Sequence, residues 1–205
     1  CPGVQGNSTL DQYGCPDADG DGVSDINDSF PNDPTRSMDS DNDGFDDLED
    51  ACPSVLGNSS IDRNGCLDTD GDGYSNAESG VWNTTDGADA FANDPTQWAD
   101  SDGDGFGDEP SGLNPDACPA TSGSSIHDVF GCVDADSDGY SDDGDAFPNE
   151  ATQWNDTDND GYGDQANGYQ ADECPINAGS STLDRFGCVD SDGDGMSDEN
   201  DLWQI

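Results

Sequence analysis

The 205-residue chain carries 49 acidic residues against 3 basic ones, for a formal net charge of −46, and only 29% of its residues are hydrophobic. So polar a chain cannot bury enough apolar surface to offset the entropy of ordering its backbone, which excludes a hydrophobic core as the agent of folding and leaves metal ions and disulfides. The charge also excludes nucleic acid and anionic membranes as partners, because Arg36, Arg63 and Arg185 are the only basic residues.

The chain opens on a Cys-Pro … Gly-Cys segment, Cys1 to Cys15, and the same form returns at Cys52 to Cys66, Cys118 to Cys132 and Cys174 to Cys188. Spacing within a pair never changes, whereas the intervals between pairs are 37, 52 and 42 residues. Insertions have been kept out of the short loops, as expected if each pair closes its own disulfide. A loop of this size contributes about 3 kcal/mol in the chain-entropy model. The competing reading, a thiolate metal site, lacks any CxxC spacing and has one histidine, His127, to draw on. Disulfides imply an oxidising, extracellular or cell-surface setting. Cys1 also admits a lipidated reading, but its register with Cys15 favours the disulfide. No apolar run approaches the ~20 residues of a membrane helix. No signal-peptide pattern is present either, so the chain is expected to be mature or a fragment.

An acidic motif follows each cysteine loop, the first being Asp17-Ala18-Asp19-Gly20-Asp21-Gly22-Val23-Ser24-Asp25. A linker comes next, Asp28 to Thr35, which recurs as Asp89 to Thr96 and as Asp145 to Thr152. A second acidic motif precedes the next Cys-Pro. The repeat units are therefore 1–51, 52–117 and 118–173, with a partial unit at 174–205. Unit 52–117 owes its extra length to insertions at 77–88 and 109–115. The last unit stops after Asp201-Leu202-Trp203, where Trp203 stands in the place of Phe30, Phe91 and Phe147, as in a slice of a longer array. No sustained helical or strand period occurs, so turns, short two-stranded pieces and at most single helical turns are expected.

Seven acidic motifs, starting at Asp17, Asp39, Asp68, Asp100, Asp134, Asp156 and Asp190, share the form Asp-x-Asp-x-Asp-Gly-apolar-x-Asp/Asn. In the first, Asp17, Asp19 and Asp21 hold positions 1, 3 and 5. Gly22 permits the turn at position 6, Val23 offers its carbonyl at 7, and Asp25 and Asp28 follow at 9 and 12. Calcium takes six to eight hard oxygen ligands in a flexible shell, whereas magnesium demands a smaller octahedron and gives up water reluctantly. A merely solvating acidic tract would scatter its aspartates. An EF-hand would need flanking amphipathic helices and usually Glu at position 12, and neither is found here.

The run Asp100-Ser101-Asp102-Gly103-Asp104-Gly105-Phe106-Gly107-Asp108, followed by Asp116-Ala117-Cys118-Pro119, resembles thrombospondin type 3 repeats, as does Asp156 to Asp164 followed by Asp172-Glu173-Cys174-Pro175. The Cys-Pro … Gly-Cys loops look like the bacterial and archaeal variant found in stalks of surface proteins. The resemblance implies an irregular fold with little regular secondary structure, a calcium-cored tandem-repeat rod stapled by short-range disulfides, in which repeats wrap around ions and share ligands. It implies ligands Asp17, Asp19, Asp21, Val23, Asp25 and Asp28 in the first loop, and Asp39, Asp41, Asp43, Phe45, Asp47 and Asp50 in the second. The third has Asp68, Asp70, Asp72, Tyr74, Asn76 and Asp89, where neutral Asn76 is expected to weaken the site. The fourth has Asp100, Asp102, Asp104, Phe106, Asp108 and Asp116, and the fifth Asp134, Asp136, Asp138, Tyr140, Asp142 and Asp145. The sixth has Asp156, Asp158, Asp160, Tyr162, Asp164 and Asp172, and the seventh Asp190, Asp192, Asp194, Met196, Asp198 and Asp201. Loops three, four and six reach their last acid only across an insertion. Asp33, Asp94 and Glu150 are candidates for additional sites. Seven calcium ions would bring −46 only to −32, so seven or more are expected, and their binding free energy would be folding free energy.

The linker aromatics Phe30, Phe91, Phe147, Trp98 and Trp154 read either as staples between repeats or as a glycan-binding surface. Glycosylation sequons stand at Asn7, Asn27, Asn58, Asn83 and Asn155. No nucleophile or phosphate-binding signature is present, so no enzyme is expected. The function expected is an extracellular calcium-stiffened stalk, spacer or filament segment, whose partners are calcium ions and copies of itself or other surface or matrix proteins, without insertion into a membrane. The alternative is a calcium-dependent adhesion module for glycans or proteins. A calcium sensor is disfavoured, because sensors present an apolar groove.

Overall fold

In the computed structural model, which describes residues 1–203, no described segment is a helix and none is a strand longer than a single bridge. The expected two-stranded pieces reduce to isolated bridges, Asn76 with Asp89, Glu78 with Trp82 and Asp116 with Phe130. Glycine, proline and aspartate recur too often for a ladder to extend. The chain divides into two compact units, Cys1–Ala99 and Asp100–Ile205. Residues 204 and 205, the end of the expected fourth repeat, lie outside the described residues.

The buried residues are not those of an ordinary core. Among the described residues the buried apolar side chains are Cys15, Cys66, Ala88, Cys132 and Cys188, while the others are serines, aspartates and two glutamines, Gln97 and Gln153, packed with loop glycines such as Gly57 and Gly73. Val4, Leu10, Ile26, Leu48 and Ile61 are all more than half exposed. Apolar burial, the usual source of stability, is therefore a minor contribution within each unit. Among the described residues, no helix is long and apolar enough to cross a membrane.

All four expected disulfides are formed, Cys1–Cys15, Cys52–Cys66, Cys118–Cys132 and Cys174–Cys188, with Cα atoms 5.1–5.2 Å apart. Each encloses the same loop, built around a serine seven residues before the second half-cystine. Ser59 donates its hydroxyl to the Arg63 carbonyl and accepts the Cys66 N–H at 3.0 Å. Ser8, Ser125 and Ser181 accept the N–H of Cys15, Cys132 and Cys188 in the same way, and all four serines are buried. The loop is so tight that only glycine fits five residues after the first cysteine: a Cβ on Gly6, Gly57, Gly123 or Gly179 would lie 1.9–2.2 Å from backbone atoms of the second half-cystine.

The linkers are closed by backbone pairs across their ends, Ser29 N–H to Ser37 carbonyl at 2.9 Å, Ala90 to Trp98 at 3.0 Å and Ala146 to Trp154 at 3.2 Å. Asp33, Asp94 and Glu150, the candidates for additional ion sites, each give an oxygen to a threonine two residues on. Trp98 stacks on Tyr74 (centroids 5.1 Å apart, planes 8° apart) and Trp154 on Tyr140 (5.3 Å, 11°), so both pin a linker to the acidic loop before it. In the cysteine loops, Phe130 and Phe186 lie against Phe106 and Tyr162 of the acidic loop before them.

Replacing Gly57 by alanine drives a methyl into the Cys66 backbone. Unfolding by urea in saturating calcium should show a loss of roughly 1–3 kcal/mol, against less than about 0.5 kcal/mol for the exposed Ser54→Ala. An unchanged midpoint for Gly57→Ala would mean the loop is not packed as described.

Candidate metal centres

Each acidic loop is wound by its own carboxylates. The position-1 aspartate spans the turn: Asp68 accepts the Gly71 N–H at 2.7 Å through one oxygen and the Gly73 N–H at 2.9 Å through the other. The same pair of bonds forms at Asp17, Asp39, Asp100, Asp134, Asp156 and Asp190. The turn requires positive φ at two places. Position 6 is always glycine (Gly73, φ 100°), and position 4 is glycine, asparagine or serine, as in Gly71 at 86°, Asn42 at 67° and Ser137 at 67°. Asparagine tolerates that region through its short polar side chain, whereas Ser137 adopts it at some cost.

Positions 5 and 9 each give one oxygen to a backbone N–H of their own loop. The other oxygen meets the position-2 hydroxyl at Asp47, Asp108, Asp164 and Asp198, and takes the N–H of Gly57, Gly123 or Gly179 at Asp43, Asp104 and Asp160. The position-5 acids Asp21, Asp43, Asp72, Asp104, Asp138, Asp160 and Asp194 accept the N–H of position 7 at 2.7–3.0 Å. At position 9, Asp25, Asp47, Asp108, Asp142, Asp164 and Asp198 accept the N–H of position 2, and Asn76 does the same through its amide oxygen at 3.1 Å. Among the described residues, no backbone N–H donates to the position-7 carbonyls of Val23, Phe45, Tyr74, Phe106, Tyr140, Tyr162 or Met196.

The position-12 acids are placed alike whether or not an insertion intervenes. Asp28, Asp50, Asp145 and Asp201 donate their N–H to the position-8 carbonyl at 2.8–2.9 Å. Across the inserted segments, Asp89 does so to Ser75 at 3.0 Å, and Asp116 and Asp172 to Gly107 and Gly163 at 2.8 Å. One oxygen of each then accepts the N–H two residues on, from Phe30, Cys52, Phe91, Cys118, Phe147, Cys174 or Trp203. All of these acids except Asp201 are buried.

The carboxylates of positions 1, 3 and 5 converge. In the loops starting at Asp17, Asp39, Asp68, Asp100 and Asp134, one oxygen from each of the three lies within 4.8 Å of the others. Many of the inward oxygens are buried without a hydrogen-bond partner: one each on Asp19, Asp41, Asp70, Asp102 and Asp136 at position 3, and both on Asp158. Asp72 and Asp138 at position 5, and Asp89, Asp116 and Asp172 at position 12, repeat the pattern. A buried, unpartnered carboxylate oxygen is costly, and several of like charge aimed at one point are more so. The donor set is all oxygen, anionic and hard, which fits a calcium-sized cation.

The basic residues do not supply the missing charge. Arg63 pairs with Glu78 at 3.4 Å, and Arg185 bridges Glu173 and Glu199. Arg36 lies 3.7 Å over the Phe30 ring and donates to the Gly44 carbonyl. Burial accordingly pushes Asp89 up to about 6, with the charges of Asp72, Asp70 and Asp68 adding to it and the Phe91 N–H opposing. Asp172 is raised to about 6 by the same kind of surroundings, and Asp28, Asp50, Asp116 and Asp145 are raised too, by burial first and by neighbouring aspartates.

Three constellations were not anticipated from the sequence: the buried loop serines, the positive φ at position 4, and the means of holding position 8. In the first, third, fifth and seventh loops position 8 is a buried serine bound to an aspartate of the cysteine loop. In the second it is Asp46, which accepts the N–H of Ser37 at 2.7 Å and of Met38 at 3.2 Å. In the sixth it is Gly163, and a Cβ there would lie 2.0 Å from the buried Gln153 amide, which accepts the Gln165 N–H at 2.9 Å. Two sequons are also engaged, since Asn27 donates its amide to Asp11 at 2.7 Å and Asn155 donates to Asp164.

A raised folded-state value stabilises the metal-free fold fully below the ordinary carboxylate value of 3.8, and that contribution is lost as pH rises through about 6. Hydrogen-bonded Asp11 and Asp184, held below the ordinary range chiefly by Ser24 and Ser197 hydroxyls, act oppositely and lose their contribution in stronger acid. The chelated protein should therefore melt highest near pH 4–5 and fall toward pH 7, and saturating calcium should abolish that fall. A flat melting profile between pH 4.5 and 7.5 after chelation would contradict the description of these carboxylates.

Comparison of the chain with protein-family models, and with curated proteins, found no match.

Proposed function

We propose that the chain is an extracellular calcium-binding structural repeat protein, working as a calcium-stiffened stalk, spacer or filament segment. The observation that carries this reading is the recurrence, loop after loop, of carboxylate oxygens that converge, are buried and have no partner. Groups in that state need a cation, and an all-oxygen set of five side chains and a carbonyl suits calcium better than magnesium or zinc. Four disulfides support an oxidising, extracellular location. Millimolar calcium there would load even sites with Kd of about 10⁻⁴–10⁻³ M. With the ions as its core, the chain would be a tandem-repeat rod whose stiffness propagates from neighbour to neighbour.

The adhesion reading is the weaker one, because Trp98 and Trp154, its best glycan platforms, each have a ring face stacked on a tyrosine of the same unit.

Small-angle X-ray scattering of the oxidised protein tests the proposal. A compact globule of this length would have a radius of gyration of about 17 Å and an unfolded chain about 49 Å. The expected result is an intermediate value with a rod-like profile in millimolar calcium, which expands and loses that profile on chelation. A profile indifferent to chelation would overturn the calcium-cored reading.

A further inference from the structure

Four aspartates lie outside every acidic motif and yet are tied to one. Asp11, Asp62, Asp128 and Asp184 each stand four residues before the second half-cystine of a cysteine loop. Each directs both carboxylate oxygens at position 8 of the acidic loop that follows. Asp62 accepts the Ser75 N–H at 2.9 Å and its hydroxyl at 2.6 Å. Asp11 holds Ser24 at 2.9 and 2.6 Å, and Asp184 holds Ser197 at 2.8 and 2.7 Å. Asp128 binds Ser141 through the same two bonds. All four serines are buried, none more than 3% exposed. The clamp has a second jaw: the position-6 carbonyl of Gly73 accepts the N–H of Ser60 at 2.9 Å and of Ile61 at 3.0 Å, and Gly22, Gly139 and Gly195 are held likewise.

Position 8 is where such a clamp has most leverage. Ser75 lies between the Tyr74 carbonyl and the position-9 side chain of Asn76. Its own carbonyl receives the N–H of Asp89, whose buried second oxygen has no partner. Fixing one serine therefore sets the direction of three expected ligands. The carboxylate of Asp62 is itself fully engaged, with the Arg63 N–H at 2.7 Å on the same oxygen that takes the Ser75 N–H. The second, fourth and sixth loops lack this clamp, having Asp46, Gly107 and Gly163 at position 8.

Building on the calcium reading above, we propose that Asp11, Asp62, Asp128 and Asp184 are positioning residues. They take no ion themselves but set the affinity of the first, third, fifth and seventh loops by anchoring position 8 to the disulfide-closed loop. The repeat thus contains two classes of ion site, one clamped to a cysteine loop at position 8 and one not.

The test uses the full oxidised chain titrated with calcium chloride and followed by ¹⁵N NMR. The Gly73 amide reads the third loop, and the Gly161 amide reads the sixth as an internal reference. Asp62→Ala should weaken calcium at the third loop by roughly 10–100-fold, the effect typical of lost outer-shell support, and leave the sixth unchanged. Ser75→Ala, which removes no charge, should reproduce much of that loss. Asp62→Asn can still accept the Ser75 N–H and meet its hydroxyl, and should keep the affinity within the same order of magnitude as the parent. Asp62→Asn as weak as Asp62→Ala would show that the negative charge itself is what matters, and Ser75→Ala with parental affinity would remove the clamp from the account. Either result overturns the proposal. If Asp62→Ala fails to fold, the comparison of Ser75→Ala with Asp62→Asn decides alone. A parent protein that takes up no calcium at Gly73 or at Gly161 sinks the calcium reading itself, which is a different failure.

Discussion

Carboxylates brought together repel, and everything in this chain depends on how that repulsion is managed. Two like charges 4 Å apart cost about 4 kcal/mol at an effective dielectric of 20, and a loop with four or five such groups contains several pairs. One disulfide contributes about 3 kcal/mol, so four of them cannot hold seven such clusters closed by themselves. The loops answer with a division of labour among their carboxylate oxygens: most tie down N–H or hydroxyl groups and so give the loop its shape, as both oxygens of Asp68 do. In each of the first six loops at least one other oxygen, such as those of Asp19, Asp41 and Asp70, is buried without a partner, a cost that a bound cation would offset.

The disulfide-closed cysteine loops join these clusters. The loop closed by Cys52–Cys66 reaches backward to the second acidic loop, where the Gly57 N–H meets Asp43 at 3.1 Å and the Cys52 N–H meets Asp50 at 2.6 Å. It reaches forward to the third through Asp62, Ser60 and Ile61. The loop from Cys118 has the same backward bonds, Gly123 to Asp104 at 2.9 Å and Cys118 to Asp116 at 2.7 Å, and so does the loop from Cys174. Apolar contact joins the polar bonds where Phe130 lies against Phe106 and Phe186 against Tyr162.

The motif spacing and the cysteine pairing were legible in the sequence because each rests on a rare residue in a fixed place, glycine at position 6 and cysteine at an invariant interval. The irregular character of the backbone was legible as well, since Gly, Pro and Asp leave no room for a helix or a ladder. The supporting residues were hidden by abundance. In a chain full of serine and aspartate, Ser59 and Asp62 carry no signal of their own, and their roles emerge only when the four cysteine loops are laid on one another. Ser8, Ser59, Ser125 and Ser181 then share one offset, and Asp11, Asp62, Asp128 and Asp184 another. Gln153 belongs to a different alignment, that of the linkers, in which Gln97 holds the same place and each buried glutamine stands ten residues before a position-8 glycine, Gly107 or Gly163. Position 4 misleads for a different reason: glycine, asparagine and serine look like random polar filler until the backbone angle shared by all three is seen.

The inserted segments 77–88 and 109–115 leave the chain and return to it at the same two points as the two-residue connection in the first loop. Asp89 meets the position-8 carbonyl at 3.0 Å, much as Asp28 does at 2.9 Å. Closing a longer loop costs little, about 0.6 kcal/mol for each doubling of its length. The gap between positions 9 and 12 is therefore a port in the architecture. Polypeptide of very different length and composition can be mounted there without displacing the position-12 acid, so the inserted segments and the acidic loops can vary independently.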